Sequence, residues 1–137
     1  MPRIHGILET AIYAKDLTRA AEFYRRLFDL GVLLESERLI VLNVADRSVL
    51  LLFLEGATHE PFVTPGGVIP GHSGTISGHL AFSIAADDLS NWIGRLDAEG
   101  IALESRVTWT GGTESLYFRD PDDNLVELVT PGLWLVY

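Results

Sequence analysis

No cysteine occurs in the 137 residues. Disulfides, zinc–thiolate sites and thiol nucleophiles are therefore excluded together. Basic residues are scarce: ten Lys and Arg stand against nineteen Asp and Glu, a formal net charge of −9. Nucleic-acid binding draws its affinity from clustered Lys and Arg, so that class of partner is not expected. The acidic balance suits a neutral or cationic small ligand. Apolar runs are short; Val49–Leu54 is far below the length that crosses a bilayer, so no membrane association is expected. Met1-Pro2-Arg3-Ile4-His5 lacks the apolar core of a signal peptide, which makes a cytoplasmic location the expectation. The rest, 47% apolar and 21% charged, describes a single globular domain over residues 1–137.

What is present is a repeat. The stretch Gly78-His79-Leu80-Ala81-Phe82-Ser83-Ile84-Ala85 alternates with period two, placing Leu80, Phe82 and Ile84 on one face and His79, Ala81, Ser83 and Ala85 on the other. The second face is small and carries one imidazole, as the lining of a cavity would. Leu8, Thr10 and Ile12 alternate in the same way with Ile7, Glu9, Ala11 and Tyr13, so Glu9 takes the place of His79. Each strand is followed by Asp-Leu-Thr or Asp-Leu-Ser and a helical stretch. Then comes Gly31-Val32-Leu33-Leu34-Glu35-Ser36 in one half and Gly100-Ile101-Ala102-Leu103-Glu104-Ser105 in the other. Fixed-offset similarity of this kind signals two copies of one supersecondary unit.

The first module, about residues 4–56, is expected to hold a strand over 4–14, then a helix from an N-cap at Thr18 to about Asp29. Its apolar stripe is Ala20, Phe23, Tyr24 and Leu27, and Gly31 closes it as a left-handed cap. Strands over 32–37, 39–44 and 48–54 follow, the last two joined by a tight turn at Ala45-Asp46-Arg47. Residues 57–77, crowded with Gly and Pro and carrying His59 and His72, are expected to form a mobile loop that closes over a site. The second module, about 78–130, repeats the plan with a strand over 78–85, a helix over 89–98 and strands over 102–109, 114–119 and 125–130. The tail 131–137 contains Leu133, Trp134, Leu135 and Val136 and is expected to pack on a sheet or on a second copy of the chain.

Three residues are candidates for chemistry. Glu127 has Leu125 and Val129 on its own side of the last strand, and an acid among apolar groups requires a cation, a donor or a raised pKa. Glu9 follows Ile7 in the same manner. With His79, the set is two carboxylates and one neutral imidazole, which balances a divalent charge and suits Mn, Fe, Co, Ni or Zn better than Ca or Mg. Ser115, Tyr117 and Arg119 share a face of the penultimate strand and Trp109 ends its neighbour; with His72 on the loop, these are the candidates for holding substrate.

The pattern resembles the vicinal oxygen chelate superfamily, which includes glyoxalase I, fosfomycin-resistance enzymes, extradiol dioxygenases and bleomycin-resistance proteins. The resemblance rests on Asp16-Leu17 with Phe23-Tyr24, on Gly78-His79-Leu80-Ala81-Phe82, and on the run from Leu116 to Leu128 containing Tyr117-Phe118-Arg119-Asp120-Pro121-Asp122-Asp123-Asn124. It implies an α+β fold of two tandem βαβββ modules whose curled mixed sheets form a cup, assembled as a homodimer. Glu9, His79 and Glu127 match the family's metal ligands. The implied function is a divalent-metal-dependent enzyme, of lyase, transferase or dioxygenase type, acting on a small oxygen-chelating substrate. Glu127 or Glu9 would be the general base. The alternative within the resemblance is a metal-free, drug-sequestering protein of the bleomycin-resistance type. Glyoxalase I carries a further Glu near the end of its first module, where Ser48–Leu54 has no acid. Fosfomycin-resistance proteins share the Ser-x-Tyr-Phe-x-Asp-Pro segment found at 115–121.

Overall fold

The structure, a computed structural model, describes residues 1–137. They fall into two compact units, residues 1–76 and 77–137. The first contains β1 (Glu9–Ala14), α1 (Leu17–Phe28), β2 (Val32–Glu35), β3 (Leu39–Val44), β4 (Ser48–Leu54) and a hairpin of β5 (Phe62–Thr64) and β6 (Gly67–Ile69). The second contains β7 (His79–Ser83), α2 (Leu89–Ala98), β8 (Ser105–Thr108), β9 (Glu114–Arg119) and β10 (Leu125–Val129), with a 3₁₀ turn at Ala86–Asp88 leading into α2.

Both units solve the same topological problem alike. The sheet orders are β1-β4-β3-β2 and β7-β10-β9-β8, and in each the first and last strands of the module pair in parallel while the others run antiparallel. The fold is therefore α+β, two tandem βαβββ modules with mixed sheets, as the repeat implies. In the first unit Ile12, Ile40, Leu42, Leu50 and Leu52 share one face and are buried, together with Ala20, Tyr24 and Leu27 of α1. In the second, Leu80, Leu116, Phe118, Val126 and Leu128 form the equivalent layer. The opposite faces carry Glu9, Ala11 and Tyr13 in one sheet and His79, Ala81 and Ser83 in the other. No helix is long and apolar enough to cross a membrane.

Several boundaries differ from the sequence expectation. Strand β1 begins at Glu9 rather than Ile4, and Ile4, Ile7 and Leu8 are exposed. The cap of α1 is Asp16, not Thr18: Asp16 has an extended backbone and its Oδ1 accepts the Arg19 N–H at 3.1 Å, a placement that also sets its charge against the helix dipole. The left-handed residue after α1 is Asp29, with φ 56°, rather than Gly31. Asp tolerates this region through its short polar side chain. Strand β8 starts three residues later than expected, at Ser105, and β7 ends at Ser83. The turn after β3 has φ near 55° at both Ala45 and Asp46, the two-residue geometry whose twist matches a hairpin.

The greatest departure lies in the segment between the modules. It is a structured hairpin whose base is tied down, not a featureless loop. The Glu55 side chain accepts the Ile76 N–H at 2.9 Å. His72 N–H donates to the Thr58 carbonyl at 2.8 Å, and Thr58 Oγ1 donates back to the His72 carbonyl at 2.7 Å. Gly71 and Gly74 approach so closely that a Cβ on either would run into the His59 carbonyl and the Tyr13 ring, respectively. At the hairpin itself Arg38 sits over the Phe62 ring at 4.4 Å, while Val63 and Val68 remain exposed. A Gly74→Ala substitution should therefore destabilise the protein by about 1–3 kcal/mol through overpacking against Tyr13. Gly66→Ala, at a tip position with open space around it, should change stability by much less. Denaturant titration of the two variants checks the contrast, and equal effects would show that the base is not pinned.

Candidate metal centre

The site is built from the parallel pairing of β7 with β10. That register sets Leu125 beside His79 and Glu127 beside Ala81, so His79 and Glu127 lie on one face, one step apart on adjacent strands. The start of β7 is fixed by Asn124, which is almost fully buried. Its Oδ1 accepts the Gly78 N–H at 2.7 Å and its Nδ2 donates to Asp120 Oδ2 at 2.8 Å, while Asp120 Oδ1 accepts the backbone N–H groups of Asp122 and Asn124. Asp123, with φ 63°, turns the chain left-handed into β10. The acidic turn between β9 and β10 is thus the clamp that holds the histidine strand in register.

His79 Nδ1 lies 2.9 Å from the Leu125 carbonyl oxygen. A carbonyl only accepts, so Nδ1 carries the hydrogen, and in the neutral ring Nε2 presents a lone pair. Nε2 stands 3.4 Å from Glu127 Oε1, an ion pair when the ring is protonated and a pair of facing acceptors when it is neutral. In the neutral form the two acceptors repel unless a cation, a proton or a metal ion, lies between them. Two donor atoms about 2.1 Å from one ion at the tetrahedral angle stand about 3.4 Å apart, so the pair has the spacing of two ligands on a shared metal ion. The residues present fit a divalent ion in donor type and in spacing. Glu127 is itself buried, 6% exposed, and its Oε2 accepts from Ser115 Oγ at 2.7 Å. Tyr117 pairs with Glu127 across β9 and β10, and burial pushes its phenol pKa up, with the Glu127 charge acting in the same direction. Tyr117 is therefore a neutral hydroxyl donor throughout the ordinary pH range.

Trp109 stands at the end of β8 with its indole N–H donating to Ser115 Oγ at 2.9 Å. Arg119 is held by Glu104, at 2.7 and 3.3 Å, and by the Asp123 carbonyl at 3.1 Å. His72 belongs to the first unit, where its Nδ1 meets the Tyr13 hydroxyl at 2.7 Å and its ring lies edge-on to Phe53, 4.7 Å between centroids. Glu9 is exposed at the first residue of β1. His79 and Glu127 are brought together; nowhere in the chain do three or more His, Asp or Glu side chains form a metal-binding group. Sequence reasoning missed Asn124 and Tyr13. Tyr13 was legible as a residue on the Glu9 face of β1, but nothing in the spacing tied it to His72.

These features define a class before they define a family: paired βαβββ modules with a histidine on a first strand and a carboxylate on a last one. The chain belongs to the Glyoxalase/Bleomycin resistance protein/Dioxygenase superfamily, which it matches over residues 6–128. It is similar to the metallothiol transferase FosB of Bacillus licheniformis, 29% identical over 133 residues covering 96% of this chain and 79% of that protein. Its structure is similar to that of a lactoylglutathione lyase from Agrobacterium tumefaciens, with a TM-score of 0.88, 32% identity, and coverage of 98% and 99% of the two chains. A fosfomycin resistance protein FosX from Listeria monocytogenes, in complex with Mn(II) and sulfate, shares the fold at a TM-score of 0.70 and 20% identity over 96% and 94% of the chains.

Replacing Asn124 with Ala removes the side-chain bonds to Gly78 and Asp120 and should cost about 1–3 kcal/mol. Because Gly78 precedes His79, the same change should broaden the amide signals of β7 in nuclear magnetic resonance spectra. A variant of unchanged stability and unchanged β7 signals would show that the clamp is not needed.

Proposed function

We propose that the protein is a divalent-metal-dependent enzyme that binds a small substrate through two neighbouring oxygens, with His79, Glu127 and Glu9 as the protein ligands. The observation that carries this reading is His79 Nε2 standing 3.4 Å from Glu127 Oε1, with Nδ1 engaged by the Leu125 carbonyl so that Nε2 is the ring nitrogen left for a ligand. The similarity to a metallothiol transferase and to a lyase supports a metal-dependent reaction of transferase or lyase type. When bound, the ion supplies Lewis-acid polarisation of the chelating oxygens and stabilises negative charge that develops on them. The chain's own groups divide the remaining work. Glu127 is held by Ser115 and serves as a fixed ligand. Glu9, the ligand exposed at a strand start, would take a proton as general base if released from the ion. Tyr117 donates a hydrogen bond to a substrate oxygen. Strand β4 presents Val49, Leu51 and Phe53 on the Glu9 face and no acid, which separates this site from the glyoxalase I ligand set and favours transferase chemistry.

Titration calorimetry of metal-stripped protein with Mn, Ni and Zn tests this. His79→Ala should weaken affinity at least tenfold, because it removes the neutral ligand and leaves carboxylates opposed. Equal affinities in the two proteins, or no binding by either, would favour the metal-free sequestering reading instead.

We also propose that the chain acts as a homodimer. Ile4, Ile7 and Leu8 before β1 and Leu33 and Leu34 on β2 are exposed, and so are Trp134, Leu135 and Val136 of the tail. Leu133 of that tail is half-buried, and the Tyr137 hydroxyl donates to the Ile84 carbonyl at 3.0 Å. Apolar surface of this kind marks a protein contact. Light scattering at micromolar concentration should give twice the 15.1 kDa chain mass; the monomer mass would contradict the proposal.

A further inference from the structure

The second unit contains a directed hydrogen-bond chain that ends on the candidate ligand Glu127. An indole N–H only donates, so Ser115 Oγ accepts from Trp109 Nε1 at 2.9 Å. The serine hydrogen is thereby turned away from the indole and toward Glu127 Oε2, 2.7 Å off. Ser115 has no exposed surface and Glu127 is 6% exposed, so water does not compete for these bonds. Each link has one direction available to it. With Oε2 engaged, Oε1 is the oxygen left facing His79 Nε2. At the other end, Trp109 is 38% exposed and sits on a tight turn: its N–H donates to the Thr113 carbonyl at 2.8 Å, and the Gly112 N–H donates to its carbonyl at 3.0 Å. Gly111 and Gly112 both have positive φ, near 95°, which fixes this turn in a form other residues adopt poorly.

We infer that Ser115 and Trp109 are positioning residues rather than substrate contacts. Trp109 sets the orientation of the Ser115 hydroxyl, and Ser115 holds Glu127 with one oxygen committed and the other presented to the metal. The inference rests on the metal-site reading above and adds to it a specific outer layer. Outer groups that orient a ligand commonly change metal affinity by about 10–100-fold when removed. It also makes Trp109 a reporter. A bound ion draws charge from Glu127, weakens what that carboxylate offers Ser115, and so alters the bond that Ser115 accepts from the indole.

The test uses Zn(II), which is diamagnetic, with full-length wild type, Ser115→Ala and Trp109→Phe. Calorimetry on metal-stripped protein should give affinity lowered tenfold or more in Ser115→Ala and by a smaller factor in Trp109→Phe. In wild type, the Trp109 indole N–H signal, assigned by its absence in Trp109→Phe, should shift on Zn(II) addition. In Ser115→Ala that response should be lost even at saturating metal. A merely structural serine would not abolish it. Wild-type affinity in a folded Ser115→Ala, or a wild-type indole signal indifferent to Zn(II), overturns the inference while leaving the metal site standing. Should Ser115→Ala fail to fold, the wild-type indole response decides alone. Absence of Zn(II) binding by wild type would remove the metal-site reading, and this inference with it.

Discussion

The parallel pairing of the first and last strands of each module is the constraint on which everything else depends. A parallel pair cannot be joined by a tight turn, so the chain must travel through a helix and two further strands before it returns. In the second unit that return places Leu125 beside His79, 46 residues away in sequence. The same ladder delivers the backbone carbonyl that fixes the His79 tautomer and the carboxylate that faces its free nitrogen. A slip of β10 by one residue would send Glu127 to the opposite face, into the layer of Leu80, away from His79. The Asn124 clamp stands where such slippage would begin.

The two modules share this ladder and differ in what they hang on it. Glu9 pairs with Val49 as His79 pairs with Leu125, so Leu51 is the counterpart of Glu127 and Val41 the counterpart of Tyr117. One copy of the repeat therefore carries Glu9 and Asn43 at one end of that face and Tyr13 at the other, with Val49, Leu51 and Val41 between. The other has gathered an imidazole, a buried carboxylate, a serine, a phenol and an indole. A buried acid is tolerated there because Ser115 supplies a donor, whereas a carboxylate at Leu51 would have only Val41 across the ladder. Within the second unit these polar side chains meet on one face.

Much of this was legible in the sequence, for identifiable reasons. The repeat of Gly-x-x-Leu-Glu-Ser and the period-two strands disclosed the modules because burial on one face forces that alternation. His79 and Glu127 stood out because each interrupts an apolar pattern. The start of β1 was misjudged because Ile4 and Ile7 continue the alternation outside the strand, where period two has no sheet to serve. Asp16 lost the capping assignment to Thr18 because both residues cap well, and only the backbone angle at Asp16 separates them. The hairpin at 62–69 was obscured by Pro61, Pro65 and Pro70, which punctuate a loop and frame a short hairpin equally well.

What spacing could not disclose were the bonds between distant side chains. Trp109, Ser115 and Glu127 read as three candidates with separate roles, two for substrate and one for metal. Their hydrogen bonds make them one unit, because an indole only donates and a carboxylate only accepts, which gives the serine hydroxyl between them one sense. The same reasoning applied to His79 places a hydrogen on Nδ1 and leaves Nε2 as the nitrogen that meets Glu127, using nothing more than the inability of a carbonyl to donate. Tyr13 and His72 form a comparable pair in the first unit, but either ring can supply that hydrogen, so no polarity follows from it. A site becomes readable as chemistry where its hydrogen bonds have only one sense, and in this protein that holds around Glu127.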